Sequence, residues 1–257
     1  MVPRLLAASR RVLPRGWTDL LRQIVLFCGA YWLYRLVRGQ VDARATAAFE
    51  NARSIIDLEQ ALGLFFEPAL HAWSTSQSWV IDIASWLYVN SHFTITTLTL
   101  AFLYLRRNER FYFVRNMFMV AMGIALVGYM AFPTAPPRFM PEWGFRDSVA
   151  EFTGVEPESS NLLFNPFAAV PSMHVAFALM LGLPLASMVR RRWAQLLWWS
   201  YPAVVSFVVV ATANHWWFDA FLGAATAGVA ALAAQALLAR ARPEVWAWDA
   251  APRAAGA

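Results

Sequence analysis

A chain of 257 residues that is 59% hydrophobic and only 14% charged is too apolar for an ordinary soluble domain. Its net charge of +5 comes from 21 arginines and no lysine, and most of these arginines sit between apolar stretches, where they set membrane topology. No nucleic-acid partner is expected, and the single cysteine, Cys28, can form no intramolecular disulfide.

Apolar windows long enough to cross a bilayer fall at 20–38, 79–105, 111–132, 172–189, 195–213 and 215–239. They predict an all-α integral membrane protein, a bundle of six transmembrane helices in one domain over residues 1–257, without internal repeats. Residues 1–19 precede the first span, and their apolar run continues into it without a small-residue cleavage site, so a cleaved signal is not expected. The stretch 41–70 follows. Within it Ala45, Ala48, Phe49, Ala52, Ile55 and Ile56 alternate with Asp42, Arg44, Glu50, Arg53, Asp57 and Glu59 at helical spacing, which reads as an interfacial helix or as a helix packed on the outer loops. His71, just beyond, is expected at the surface.

In the second span Asp82, Ser85, His92, Thr96 and Thr99 form a polar stripe that should face the bundle interior. His92 is a candidate for lining a cavity, with interhelical hydrogen bonding as the alternative. Residues 133–171 form the one long irregular stretch, expected to be an ordered outer cap. Residues 242–257 read as a short tail.

Arginines orient the bundle. Arg4, Arg10, Arg11, Arg15 and Arg22, then Arg106, Arg107, Arg110 and Arg115, then Arg190, Arg191 and Arg192, then Arg240, Arg242 and Arg253 fall on alternate sides of successive spans and account for 15 of the 21. The opposite segments, 39–77 and 133–171, hold four arginines against ten acids. Both termini are therefore expected in the cytoplasm. Arg35 and Arg38, at the outer end of the first span, are exceptions that can snorkel to headgroups. The lack of lysine with abundant Ala and Arg points to a GC-rich bacterial genome, and so to a bacterial plasma membrane.

Depth then singles out a few residues. Arg138 lies beyond the third span, His174 at the outer start of the fourth, and His215 and Asp219 at the outer start of the sixth. Ionisable groups at such places are costly to keep and mark function. With helical spacing of four, the Asp219 carboxylate can hold one His215 nitrogen and leave the other nucleophilic. The pair also reads as self-satisfied polar burial or as half a metal site, although no third ligand stands at metal spacing. Pro171 and Ser172 suit a helix N-terminus with Ser172 as its cap. The free N–H groups of that terminus can hold a phosphate beside His174. Arg138, after Pro133-Thr134-Ala135-Pro136-Pro137, suits bidentate phosphate binding or interfacial snorkelling.

Pro171-Ser172-Met173-His174 resembles the Pro-Ser-Gly-His motif, and His215 with Asp219 the His-x-x-x-Asp core, of the type 2 phosphatidic acid phosphatase (PAP2) superfamily. The Pro133–Arg138 run, the long outer loop and the stretch from Glu50-Asn51-Ala52-Arg53 to Glu67-Pro68 look most like the branch of inositol phosphorylceramide synthases and their bacterial relatives. The resemblance spans about residues 45–235. It implies a PAP2-like bundle acting without metal or cofactor on a lipid phosphate substrate, with water or an alcohol as acceptor. His215 would be the nucleophile, Asp219 its orienting group and His174 the acid and base. Arg138 and donors near Ser172 would bind phosphate, with His92, Asn214 and Arg146 as candidate cavity residues. The oligomeric state is not indicated.

The departures from the family are informative. The lysine of its first motif has no counterpart here, the Ser-Arg opening its third motif falls on Val208-Val209, and Met173 replaces a glycine. A site with fewer cations suits a phosphodiester, with one charge, better than a monoester with two; Arg146 is the candidate replacement that would reverse this. A monoester hydrolase is the alternative, and a lipid transporter or scaffold the second, although a transporter usually shows inverted repeats.

Overall fold

The computed structural model describes residues 13–39, 45–155 and 167–238. The predicted features on Arg4 to Arg11, on 41–44, on the loop stretch 156–166 and on the tail with Arg240, Arg242 and Arg253 lie outside these residues, as do the side chains of Arg35 and Arg38.

The described chain is helical, with one isolated bridge between Thr134 and Ala168. Its helices are α1 (Gly16–Gly39), α2 (Ala45–Ala61), α3 (Glu67–Ser76), α4 (Ser78–Arg106), α5 (Asn108–Ala131), α6 (Ser148–Thr153), α7 (Met173–Met188), α8 (Arg192–Ala211) and α9 (Trp217–Leu232), the last continued by a π-helical stretch, Ala233–Leu238. Each apolar window of the sequence coincides with one of the long helices. Three segments, Asn108–Ala131, Arg192–Ala211 and Trp217–Ala236, are long and apolar enough to cross a membrane. At 16 residues α7 is apolar but shorter, about 24 Å at 1.5 Å per residue.

The predicted 41–70 segment is two helices. Gly63, at φ +68°, supplies the left-handed turn that ends α2, and Pro68 in the first turn of α3 fits a position with no N–H to satisfy. The apolar face of α2, Ala48, Ala52, Ile55 and Ile56, packs on Ala135, Met140, Phe145 and Trp216. Helix α2 is thus one wall of a cap formed with the 133–155 loop. Between α7 and α8 the contact is close because Gly182 faces Pro202. A Cβ there would come within 2.7 Å of the Trp198 carbonyl oxygen.

Two arginine-rich turns meet at one end of the bundle, where Arg110 Nη1 donates to Ser187 Oγ at 3.5 Å. The start of α1 joins them, since Asp19 accepts the Tyr104 and Tyr112 hydroxyls at 3.1 and 2.7 Å. Helices α2, α3 and α6 and the starts of α7 and α9 gather at the opposite end.

Four side chains depart from expectation. Glu59, assigned to the polar face of its helix, is fully buried, because 48, 52, 55, 56 and 59 share one helical face and that face packs inward. His71 is buried rather than superficial, with Nδ1 2.8 Å from the Ala211 carbonyl oxygen. Asp82 is exposed, although Ser85, Thr96 and Thr99 of the same stripe are buried. Arg115, counted with a basic turn, is buried inside the bundle and bonds Asn116 Oδ1 at 3.0 and 2.6 Å and also Gln23.

Candidate active site

Helix α8 ends in a tight turn that aims His215. Ala213 adopts φ 56°, a left-handed conformation uncommon for a residue with a Cβ, and the Asn214 and His215 N–H groups both donate to the Val209 carbonyl at 3.0 Å. His215 therefore precedes α9 instead of lying on it. Its contact with Asp219 arises differently from the expected helical face. Asp219, in the first turn of α9, reaches back to accept the Trp216 N–H at 3.0 Å, as in half a capping box, and the same Oδ2 lies 3.3 Å from His215 Nδ1. Both residues are buried. With Nδ1–H donated to the carboxylate, an assignment fixed by this network, the lone pair of His215 is on Nε2.

The start of α7 is bound to the start of α9. Pro171 follows a cis peptide bond, and the Tyr129 hydroxyl donates to its carbonyl at 3.2 Å. Ser172 donates its N–H to the Asp219 carbonyl at 3.0 Å. This approach requires Gly223, where a Cβ would fall 2.3 Å from the Ser172 carbonyl oxygen. Ser172 is the N-cap residue by backbone geometry, but its hydroxyl makes no cap bond, contrary to the sequence expectation; it is buried with no hydrogen-bond partner. In the first turn, helical geometry leaves N–H groups without intrahelical acceptors.

The His174 ring lies 5.7 Å from that of His215, 4.6 Å from Tyr88, which stacks on it, and 4.4 Å from His92 (centroid distances). A cavity of about 100 Å³ adjoins them, walled by Tyr88, His92, His174, Tyr201 and Val208 among others. Val208 and Val209, the positions that the resemblance sets against Ser-Arg, stand as buried apolar wall.

Arg138 is locked to the turn that precedes His215. Its N–H donates to the Ala213 carbonyl at 2.8 Å, Nη1 donates to Asn214 Oδ1 at 2.5 Å, and Nε lies 3.2 Å from Asp147 Oδ2. Asn214 is held in turn by Thr212, its amide donating to the carbonyl and hydroxyl at 3.1 and 3.0 Å. Arg146 is held at His71 and Glu151. Its Nε pairs with Glu151 at 3.6 Å on the surface, and its N–H donates to His71 Nε2 at 3.3 Å.

Sequence reasoning missed the acids behind the site. Glu67 Oε1 accepts the Trp217 N–H at 3.0 Å and Glu59 Oε1 accepts the Phe218 N–H at 3.3 Å. Burial, followed by the neighbouring Glu67 carboxyl, pushes Glu59 up to about 10. Burial likewise raises Glu67. At neutral pH the pair keeps a proton. The available signal was the register of Glu59 with the buried positions of α2; Tyr88 and Asp147 carried none. Among the described residues no three His, Cys, Asp or Glu side chains are grouped to hold a metal ion.

The family model of the PAP2 superfamily matches residues 53–233, which is most of the chain and takes in α3 to α9 and every residue of the site. No curated protein and no solved structure matches it. Proteins of this superfamily are generally phosphatases, so membership points to phosphatase or phosphotransferase chemistry on a phosphoester. Its apolar helices mark a membrane protein, and the chain belongs to the PAP2 superfamily.

Proposed function

We propose that the protein is a lipid phosphotransferase or phosphatase of a bacterial plasma membrane, working through a phosphohistidine on His215. The observation that carries this reading is the carboxylate-held His215 with the His174 ring 5.7 Å away, at two adjoining helix starts, and Arg138 bonded to Asn214, the residue before His215. Nε2 of His215 attacks phosphorus and forms the N–P bond as the P–O bond to the leaving group breaks. His174 gives its proton to the departing oxygen, then takes one from the water or alcohol that attacks the phosphohistidine and releases His215. Arg138 and the α7 first-turn donors, with the Ser172 hydroxyl, hold the equatorial oxygens. No step calls for a metal.

The six apolar helices are read as six spans, with the arginine-rich turns and both termini in the cytoplasm and the site on the extracytoplasmic side. A lipid donor would then enter sideways, its headgroup near the cavity that His92 and His174 share. Two features favour a phosphodiester over a monoester. The wall at Val208 and Val209 is apolar, and Asp147 already offsets the charge of Arg138. Headgroup transfer of the inositol phosphate type fits this charge balance; monoester hydrolysis is the second reading, favoured only if Arg146 swings inward.

The test is turnover of phosphatidate and of phosphatidylinositol by the full chain in nanodiscs, alongside His215→Ala. Loss of all turnover in the variant, with acid-labile label trapped on the wild type, is expected. Unchanged turnover in His215→Ala overturns the mechanism, and a clear preference for phosphatidate overturns the phosphodiester assignment.

A further inference from the structure

Three successive backbone donors at the start of α9 are taken by carboxyl groups. Asp219 Oδ2 accepts from Trp216, Glu67 Oε1 from Trp217 and Glu59 Oε1 from Phe218. Glu59 and Glu67 come from α2 and α3, outside the bundle proper, and both are fully buried. Neither is expected to touch a substrate. Burying two carboxyls side by side is costly unless one proton is shared and the remaining oxygens find donors. The two N–H groups meet part of that need and a proton retained on Glu59 meets more, while one oxygen of each carboxyl is left without a partner.

From this geometry we infer that Glu59 and Glu67 act as a carboxyl clamp on the first turn of α9, positioning Asp219, and through it His215, for attack on phosphorus. The inference rests on the reading of His215 as nucleophile. Asp219 has two constraints on its backbone: the clamp holds the residues just before it, and Ser172 binds its carbonyl. Its carboxylate must stay within reach of His215 Nδ1, now 3.3 Å away, for the correct tautomer to persist. The clamp also closes this helix start to anions, so that phosphate is directed to the start of α7. Since the pair holds one proton, a single carboxamide can take the place of either carboxylic acid: its NH₂ donates to the remaining carboxylate, and its oxygen accepts the backbone N–H.

The experiment compares Glu59→Ala, Glu67→Ala, Glu59→Gln and Glu67→Gln with wild type and His215→Ala, using phosphatidate and phosphatidylinositol in nanodiscs and following kcat, KM and the burst of label onto protein. Each alanine variant is expected to lower kcat and the burst rate about 100-fold with KM within about twofold, as displacement of a reacting group does. Each glutamine variant should stay within about threefold of wild type. Where the alanine variants do not fold, Glu59→Gln/Glu67→Gln substitutes for them. It leaves one buried NH₂ without an acceptor and should fall well below either single variant. Alanine variants with wild-type kcat, glutamine variants as weak as alanine, or a double variant equal to the singles overturn the clamp. Full turnover in His215→Ala instead overturns the mechanism beneath it.

Discussion

Two helix starts, those of α7 and α9, lie against each other through a single bond from Ser172 N–H to the Asp219 carbonyl, yet they are finished in opposite ways. At α9 three carboxyl groups take successive N–H donors. At α7 the cap hydroxyl of Ser172 is buried and unpartnered. Both ends carry the partial positive charge of a helix N-terminus. One is occupied by carboxyls, and the other, on the proposed mechanism, takes the incoming anion. On that mechanism the contrast separates two tasks that need opposite electrostatics: holding a basic, nucleophilic imidazole, and binding a phosphoryl group.

The largest break in this contrast is expected from Asp219→Asn. The amide oxygen still accepts the Trp216 N–H, so α9 persists, but the charge that fixes the His215 tautomer is gone. A fall in kcat of about 10⁴-fold is expected, with little change in KM. A fall of under tenfold would mean that His215 is oriented from elsewhere. Next comes Gly223→Ala, which forces the two starts apart at the point where a Cβ would sit 2.3 Å from the Ser172 carbonyl. Backbone on both sides of that contact cannot yield cheaply. A loss of stability of about 1–3 kcal/mol is expected in detergent unfolding, together with a kcat reduced about 100-fold. Wild-type activity in this variant would separate catalysis from the register of the two helices.

The α9 start was only partly legible in the sequence. His215, Asp219 and His174 stand out because charge at a membrane boundary is conspicuous, and the apolar windows lead to the right helices, as 79–105 does to Ser78–Arg106. The clamp was not legible. Glu59 and Phe218 are 159 residues apart in the chain, and Glu67 and Trp217 are 150 apart, so nothing local couples them. Their pairing depends on which face of α2 turns inward, and an acid on an amphipathic helix reads by default as solvent-facing. The His71 expectation failed in the same way, because the Ala211 carbonyl that holds it is 140 residues distant. The fourfold spacing of His215 and Asp219 was suggestive for an incomplete reason, since a capping turn rather than a helical face brings them together.

At the α7 start the expected effects are smaller and differ in kind. Ser172→Ala removes a buried hydroxyl that bonds nothing in the resting protein, so unfolding should be unchanged or slightly harder. If that hydroxyl is kept for phosphate, kcat/KM should drop about tenfold, corresponding to about 1.4 kcal/mol of transition-state binding. Loss of stability without loss of activity would remove Ser172 from the phosphate site and make the two helix starts alike.

The mildest test adjusts charge alone. Asp147 performs two jobs with its two oxygens: Oδ1 accepts the Ala150 N–H at 2.9 Å as the N-cap of α6, and Oδ2 pairs with Arg138 Nε at 3.2 Å. Asparagine caps a helix about as well as aspartate, so Asp147→Asn should leave the loop in place and remove only the negative charge. Arg138 would then present its charge to the phosphate less opposed. Because the pair is partly exposed, an effect of about 1 kcal/mol, or about fivefold, is the reasonable scale. The gain should fall mainly on the substrate with more charge. KM for phosphatidate is expected to decrease about fivefold while KM for phosphatidylinositol changes by less than half as much. Equal changes for both lipids would show that Asp147 holds Arg138 in place without setting the charge preference, and the phosphodiester preference would then have to come from the apolar wall at Val208 and Val209.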